Sequence, residues 1–128
     1  MPTDTPSSPE AGLTRECLAD HTVIAIRGEL DSASTPSMRE RLHVALQDTG
    51  AQVIIDLSGV TFCDTSGLAM LVGARRRREA KSATVILAAP RPQPARLLEV
   101  TGLLRAFTVR SSVTEARTAG PGPRSAAA

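Results

Sequence analysis

The sequence predicts an α/β fold: one domain built on a largely parallel or mixed sheet. Three observations predict it. Short β-favouring runs alternate with helix-period segments in the order ββαβαβαβ, with a brief helical turn at the end. Two of those runs, QVIIDL (Gln52 to Leu57) and ATVILAA (Ala83 to Ala89), are unbroken apolar stretches, as in strands covered on both faces. A chain of 128 residues, 41% apolar, suffices for a single core.

The elements follow in order. LTRECL (Leu13 to Leu18) and TVIAIRGEL (Thr22 to Leu30), with ADH between them as a turn, predict an opening hairpin. In PSMRERLHVALQ, Met38, Leu42, Ala45 and Leu46 share one helical face, with Thr35 as N-cap and Pro36 as first helical residue. After QVIIDL, a helix set by Leu68, Leu71 and Val72 begins at DTSG and fades into four arginines. QPARLLEVTG reads as a short helix opening at Pro94 and stopped by Gly102. FTV (Phe107 to Val109) is a last short strand, and Ser112 to Glu115 has capping-box spacing for a final turn. Residues 1–12, rich in Pro, Ser and Thr, predict a disordered N-terminal tail, and residues 117–128 a C-terminal one. The domain then spans 13–116.

Composition narrows the function. A net charge of +2 gives no reason to expect nucleic acid or a membrane surface as partner. Arg75 to Arg78 look basic enough for nucleic acid, but four consecutive residues sweep most of a helix circumference and cannot form one stripe. They also complement the negative end of the helix dipole. No signal peptide or membrane-length apolar run is visible, so a cytoplasmic protein is expected. Cys17 and Cys63 match no zinc or redox spacing and lie among apolar residues, which predicts two reduced, buried thiols. His21 and His43 have no partners at ligand spacing, so no metal and no cofactor are expected. Phosphate-binding glycine loops and the G-x-S-x-G frame are missing, so an enzyme is not expected.

One stretch exceeds its structural need. CDTSGL, Cys63 to Leu68, leaves a buried strand and enters a helix. One N-cap is required there, and Asp64, Thr65 and Ser66 could each supply it. That leaves a hydroxyl over at the C-terminal edge of a parallel sheet, where ligands and partners usually bind in open α/β folds. Gly67 would let another molecule approach the backbone closely. A phosphate on such a hydroxyl would sit over free amides at the positive end of the helix, adding about −1.5 to −2 charges beside Asp64. The physics points to an interaction surface gated by phosphorylation and does not name the partner.

IRGELDSAS (Ile26 to Ser34), VIIDLSGVTFCDTSGLAMLVGA (Val53 to Ala74) and LLEVTGLLRAF (Leu97 to Phe107) together resemble the STAS domain family, specifically the bacterial anti-sigma-factor antagonists. The resemblance covers residues 13–116 and implies a STAS fold with helices on one side of a mostly parallel or mixed sheet. It also implies a partner-switching regulator of transcription. The unphosphorylated form would bind an anti-sigma factor that is also a serine/threonine protein kinase, freeing a sigma factor. Phosphorylation of the hydroxyl after the Asp would inactivate it, and a PP2C-type phosphatase would restore it. That position is Thr65, with Ser66 the second choice. Asp31, Asp64, Thr65, Ser66, Gly67 and Leu68 are the implied partner-binding residues. The acceptor is threonine where the family often has serine, and the final helix meets Gly120 and Pro121 early. The other role such a module could serve is in a different signalling or lipid-transport complex without a phospho-switch. Monomer and weak dimer both remain open.

Overall fold

The computed structural model describes residues 11–119. The chain forms β1 (Gly12–Cys17), β2 (Thr22–Leu30), α1 (Thr35–Ala45), β3 (Gln52–Cys63) and α2 (Thr65–Glu79). It continues through β4 (Thr84–Ala88), α3 (Pro92–Val100), β5 (Thr108–Arg110) and α4 (Val113–Ala119). The folded unit thus runs slightly past 13–116 at both ends. The rest of the two expected tails lies outside the described residues.

The five strands form one mixed sheet in the order β1-β2-β3-β4-β5. β1 pairs antiparallel with β2 through the expected hairpin, and every later pair is parallel. Strand alternation splits the apolar residues between two faces. Ile24, Ile26, Val53, Ile55, Leu57, Val85 and Leu87 meet Met38 and Leu42 of α1, Leu68 and Leu71 of α2, and Leu98 of α3. Val23, Ile54, Ile86 and Ala88 point the other way and pack with Ala116 of α4. Three helices therefore lie on one side, as the resemblance implies, and the short fourth covers the opposite face. Leaving that second row in water would forfeit about 1.5–3 kcal/mol for each large aliphatic side chain, which is why β3 and β4 read as unbroken apolar runs.

The helix faces follow the sequence pattern with local departures. Met38, Leu42, Ala45 and Leu46 are all buried. Thr35 is the first helical residue and is itself buried, so it does not cap; Ser34 holds the N-cap position and Pro36 follows. α2 buries Met70 and Ala74 in addition to Leu68 and Leu71, while Val72 is half-buried. α3 begins at Pro92, two residues before the predicted start, because proline is compatible with a first helical turn. Its glycine stop holds, with Gly102 at φ +80°. In α4, Ser112 Oγ accepts from the Glu115 amide at 3.0 Å, and Glu115 Oε1 accepts from the Ser111 amide at 2.7 Å. The capping box closes one residue further back than its usual form.

The arginines splay as expected. Arg75 lies 5.2 Å from the Phe107 ring centroid and pairs with Glu79 at 3.2 Å, whereas Arg76 and Arg77 are exposed.

One cysteine departs from expectation. Cys63 is buried, but Cys17 is exposed, because the end of edge strand β1 extends beyond the helical cover. Desolvation, with the nearby Asp64 charge adding to it, pushes the Cys63 thiol up to about 11. Alkylation of the native protein at neutral pH is expected to label Cys17 and spare Cys63; mass spectrometry after brief iodoacetamide treatment checks this. Equal labelling of both would contradict the packing at the β3–α2 junction.

Candidate functional site

β3 outruns its neighbour. The predicted strand ends at Leu57, and pairing with β4 ends at Asp56, yet the strand continues to Cys63. It does so by pairing Gly59, Val60, Phe62 and Cys63 with β2 across two register shifts. Gly28 of the GELD segment adopts φ 95° between those shifts, a conformation that strains any side chain. The extension carries Asp64 and Thr65 beyond the sheet edge.

Asp64 is the N-cap of α2. Its Oδ1 accepts from the Ser66 amide at 2.9 Å, the Gly67 amide at 3.2 Å and the Ser66 hydroxyl at 2.6 Å. The carboxyl is held below the ordinary carboxylate range, chiefly by the Ser66 hydroxyl; burial opposes it, and the amides of Gly67, Ser66 and Ser32 add to the lowering. At neutral pH the cap is therefore ionised and fully engaged. The amides expected to be free for a phosphate are already taken by this side chain.

The two hydroxyls have different fates. Ser66 is half-buried and spends its hydrogen on Asp64. Thr65 is the first helical residue and exposed, and none of the described residues hydrogen-bonds its hydroxyl.

Asp31 lies in the turn between β2 and α1. Its Oδ1 accepts from the amides of Ala33 and Ser34, both at 3.0 Å, while Ser34 Oγ donates to Glu29 O at 2.7 Å. The turn is braced by its own side chains and lies near enough to the cap for the Ser32 amide to favour the ionised Asp64 carboxyl. The Asp64 amide donates to Leu30 O at 3.0 Å, which joins the two segments a second time. An open cavity of about 500 Å³ flanks Asp31, lined also by Glu29, Ser34, Met38 and Arg41.

Four implied binding residues, Asp31, Asp64, Thr65 and Ser66, thus meet at one surface. Gly67 and Leu68 do not join them there, because both are buried. A Cβ on Gly67 would lie 2.8 Å from Cys63 Sγ, 2.8 Å from Leu30 Cβ and 3.0 Å from Leu30 O. The close approach that this glycine permits is made by its own chain. Gly67→Ala is expected to cost about 1–3 kcal/mol despite the better helix propensity of alanine, measured by urea unfolding. An unchanged midpoint would mean that the contact relaxes freely.

Sequence reasoning missed two neighbours. Phe62 is 40% exposed beside the site, and Gln93 of α3 bonds both backbone polar groups of Cys63. No periodic or motif signal marks either residue. Among the described residues, no group of three His, Cys, Asp or Glu could hold a metal ion, and no helix is long and apolar enough to cross a membrane.

Comparison with known proteins adds to this geometry. The STAS domain model matches residues 13–116. The anti-sigma-B factor antagonist of Listeria monocytogenes is 33% identical over 84 residues, 66% of this chain and 74% of that protein. An anti-sigma factor antagonist from Mycobacterium paratuberculosis superposes with TM-score 0.78 at 24% identity, covering 91% of this chain and 97% of that one. The anti-sigma factor antagonist SpoIIAA, a Bacillus cell fate determinant, is known in unphosphorylated and phosphorylated forms. They give TM-scores of 0.68 and 0.64 at 24% identity, covering 85% and 84% of this chain and 97% and 98% of theirs. The structural likenesses show the fold.

Proposed function

The chain belongs to the STAS domain family, and from that premise we propose that it is an anti-sigma-factor antagonist switched by phosphorylation at Thr65. Unphosphorylated, it binds an anti-sigma factor that is also a serine/threonine kinase, and the sigma factor is released. The kinase transfers the terminal phosphoryl group of its bound ATP to Thr65 Oγ1, with the hydroxyl proton passing to a base of the kinase. A PP2C-type phosphatase hydrolyses the ester. This chain contributes a substrate hydroxyl and a docking surface, and the catalysis belongs to its partners.

The observation that carries the reading is the difference between the hydroxyls. Thr65 is exposed and its hydroxyl bonds none of the described residues, while Ser66 Oγ is 2.6 Å from the capping carboxylate. Phosphorylating Ser66 would sacrifice that bond and set a dianion against Asp64. Phosphorylating Thr65 leaves the cap intact and adds about −1.5 to −2 charges at the outer surface. The positive end of α2 tolerates the charge, so the fold persists and the effect falls on docking through repulsion and desolvation. Names of relatives from Listeria and other bacteria support the same role.

Phosphosite mapping by mass spectrometry on the protein from its native cells, under two growth conditions, tests the reading. Thr65 is expected to carry phosphate at an occupancy that differs between conditions. Phosphate on Ser66 alone would move the switch by one residue, and none on either would leave a binding module without a switch.

A further inference from the structure

The end of β3 is unsupported by the sheet on one side. Past Asp56 there is no β4 to pair with, and only β2 holds the strand. The N-terminus of α3 takes the place of the missing neighbour. Arg91 Nη1 donates to Ser58 O at 3.1 Å. Gln93 Oε1 accepts from the Cys63 amide at 2.8 Å, and its Nε2 donates to Cys63 O at 2.8 Å. A carboxamide carries the same donor and acceptor as a peptide unit, so Gln93 pairs with Cys63 as a one-residue strand would. Pro92 and Pro94 flank it, and their rings restrict the backbone that carries the carboxamide. The residue after Cys63 is Asp64, whose carboxylate orders the first turn of α2.

We propose that Gln93 is a positioning residue for Thr65. By gripping both polar groups of Cys63, it fixes the peptide from which Asp64 and Thr65 project, and so couples α3 to the presented hydroxyl. The proposal rests on the reading of Thr65 as the phosphorylated residue. A flexible junction would offer the hydroxyl in many orientations, and a kinase acts on the one that aligns with its bound nucleotide.

Amide hydrogen exchange on the full chain, read residue by residue by NMR, tests the grip. In Gln93→Leu the Cys63 amide is expected to exchange roughly tenfold faster, the loss of about one hydrogen bond, and the Ser66 and Gly67 amides to follow. Ile86 and Leu87 in β4 are expected to exchange as in the wild type, which shows that the variant is folded. Gln93→Glu supplies a second variant with a pH signature. Its neutral carboxyl has one donor and one acceptor, so protection should match the wild type near pH ~3. Near pH ~7 the carboxylate still accepts from the Cys63 amide but loses the donor and sets a charge against Cys63 O, so protection of Ser66 and Gly67 should fall below the wild type. Unchanged exchange at Ser66 and Gly67 in both variants would overturn the proposal.

Phosphate occupancy at Thr65 in native cells carrying Gln93→Leu supplies the functional arm, and a several-fold fall is expected. Equal occupancy in wild type and variant would overturn the role of Gln93 alone. No phosphate on wild-type Thr65 would instead overturn the switch, and with it the positioning role in phosphorylation.

Discussion

Thr65→Glu is expected to weaken binding to the anti-sigma partner by about 2–3 kcal/mol, roughly 30- to 160-fold in affinity. In the proposed switch, the carboxylate would imitate part of the phosphate charge at the docking surface. Thr65→Ala is expected to bind as tightly as the unphosphorylated wild type, and to keep that affinity after incubation with the kinase and ATP. Titration calorimetry of both variants against the partner decides the matter. The position favours a clean result, because Thr65 is exposed at the first residue of α2 and its hydroxyl bonds none of the described residues. An acidic side chain in a first turn also stabilises a helix slightly, so weaker binding by Thr65→Glu could not be ascribed to unfolding. Equal affinity of the two variants would remove Thr65 from the mechanism.

Leu71→Ala is expected to cost about 2–5 kcal/mol of stability, the range for truncating a buried leucine. Leu71 is 1% exposed and belongs to the cluster between α1, α2, α3 and the sheet. Val72→Ala, one residue on and only half-buried, is expected to cost less than half as much. Urea unfolding of the pair checks the orientation of α2, since a one-residue rotation would reverse the order. The orientation matters for the proposed switch, because the same rotation that buries Leu71 places Thr65 outward.

Most elements were legible in the sequence because each carries a local physical signal. Unbroken apolar runs marked β3 and β4, an i, i+4, i+7 stripe marked α1, and Gly102 marked the end of α3. The DTSG segment was legible as a candidate site for a similar reason: it holds more capping groups than one helix start can use. Signals of this kind depend only on neighbours in sequence.

The larger departures involve groups that meet across the fold. Ser58 and Gly59 break the apolar pattern, so β3 reads as ending at Leu57, yet pairing with β2 carries it to Cys63. Leu68 and Gly67 read as docking residues by their place in a motif, but Leu30 and Cys63 close over Gly67 and the core takes Leu68. Cys17 looks buried among apolar neighbours in sequence, while the sheet leaves it at an uncovered edge.

The sequence by itself determined the order of elements, the mixed α/β class and the location of a hydroxyl-bearing helix start, because periodicity and capping chemistry are local. Only the tertiary structure decided which hydroxyl is available. Asp64 turns inward to bond Ser66, Gln93 comes from α3 to hold Cys63, and Thr65 is left outside. Whether a side chain is free depends on what approaches it through space, and those neighbours come together only when the chain folds.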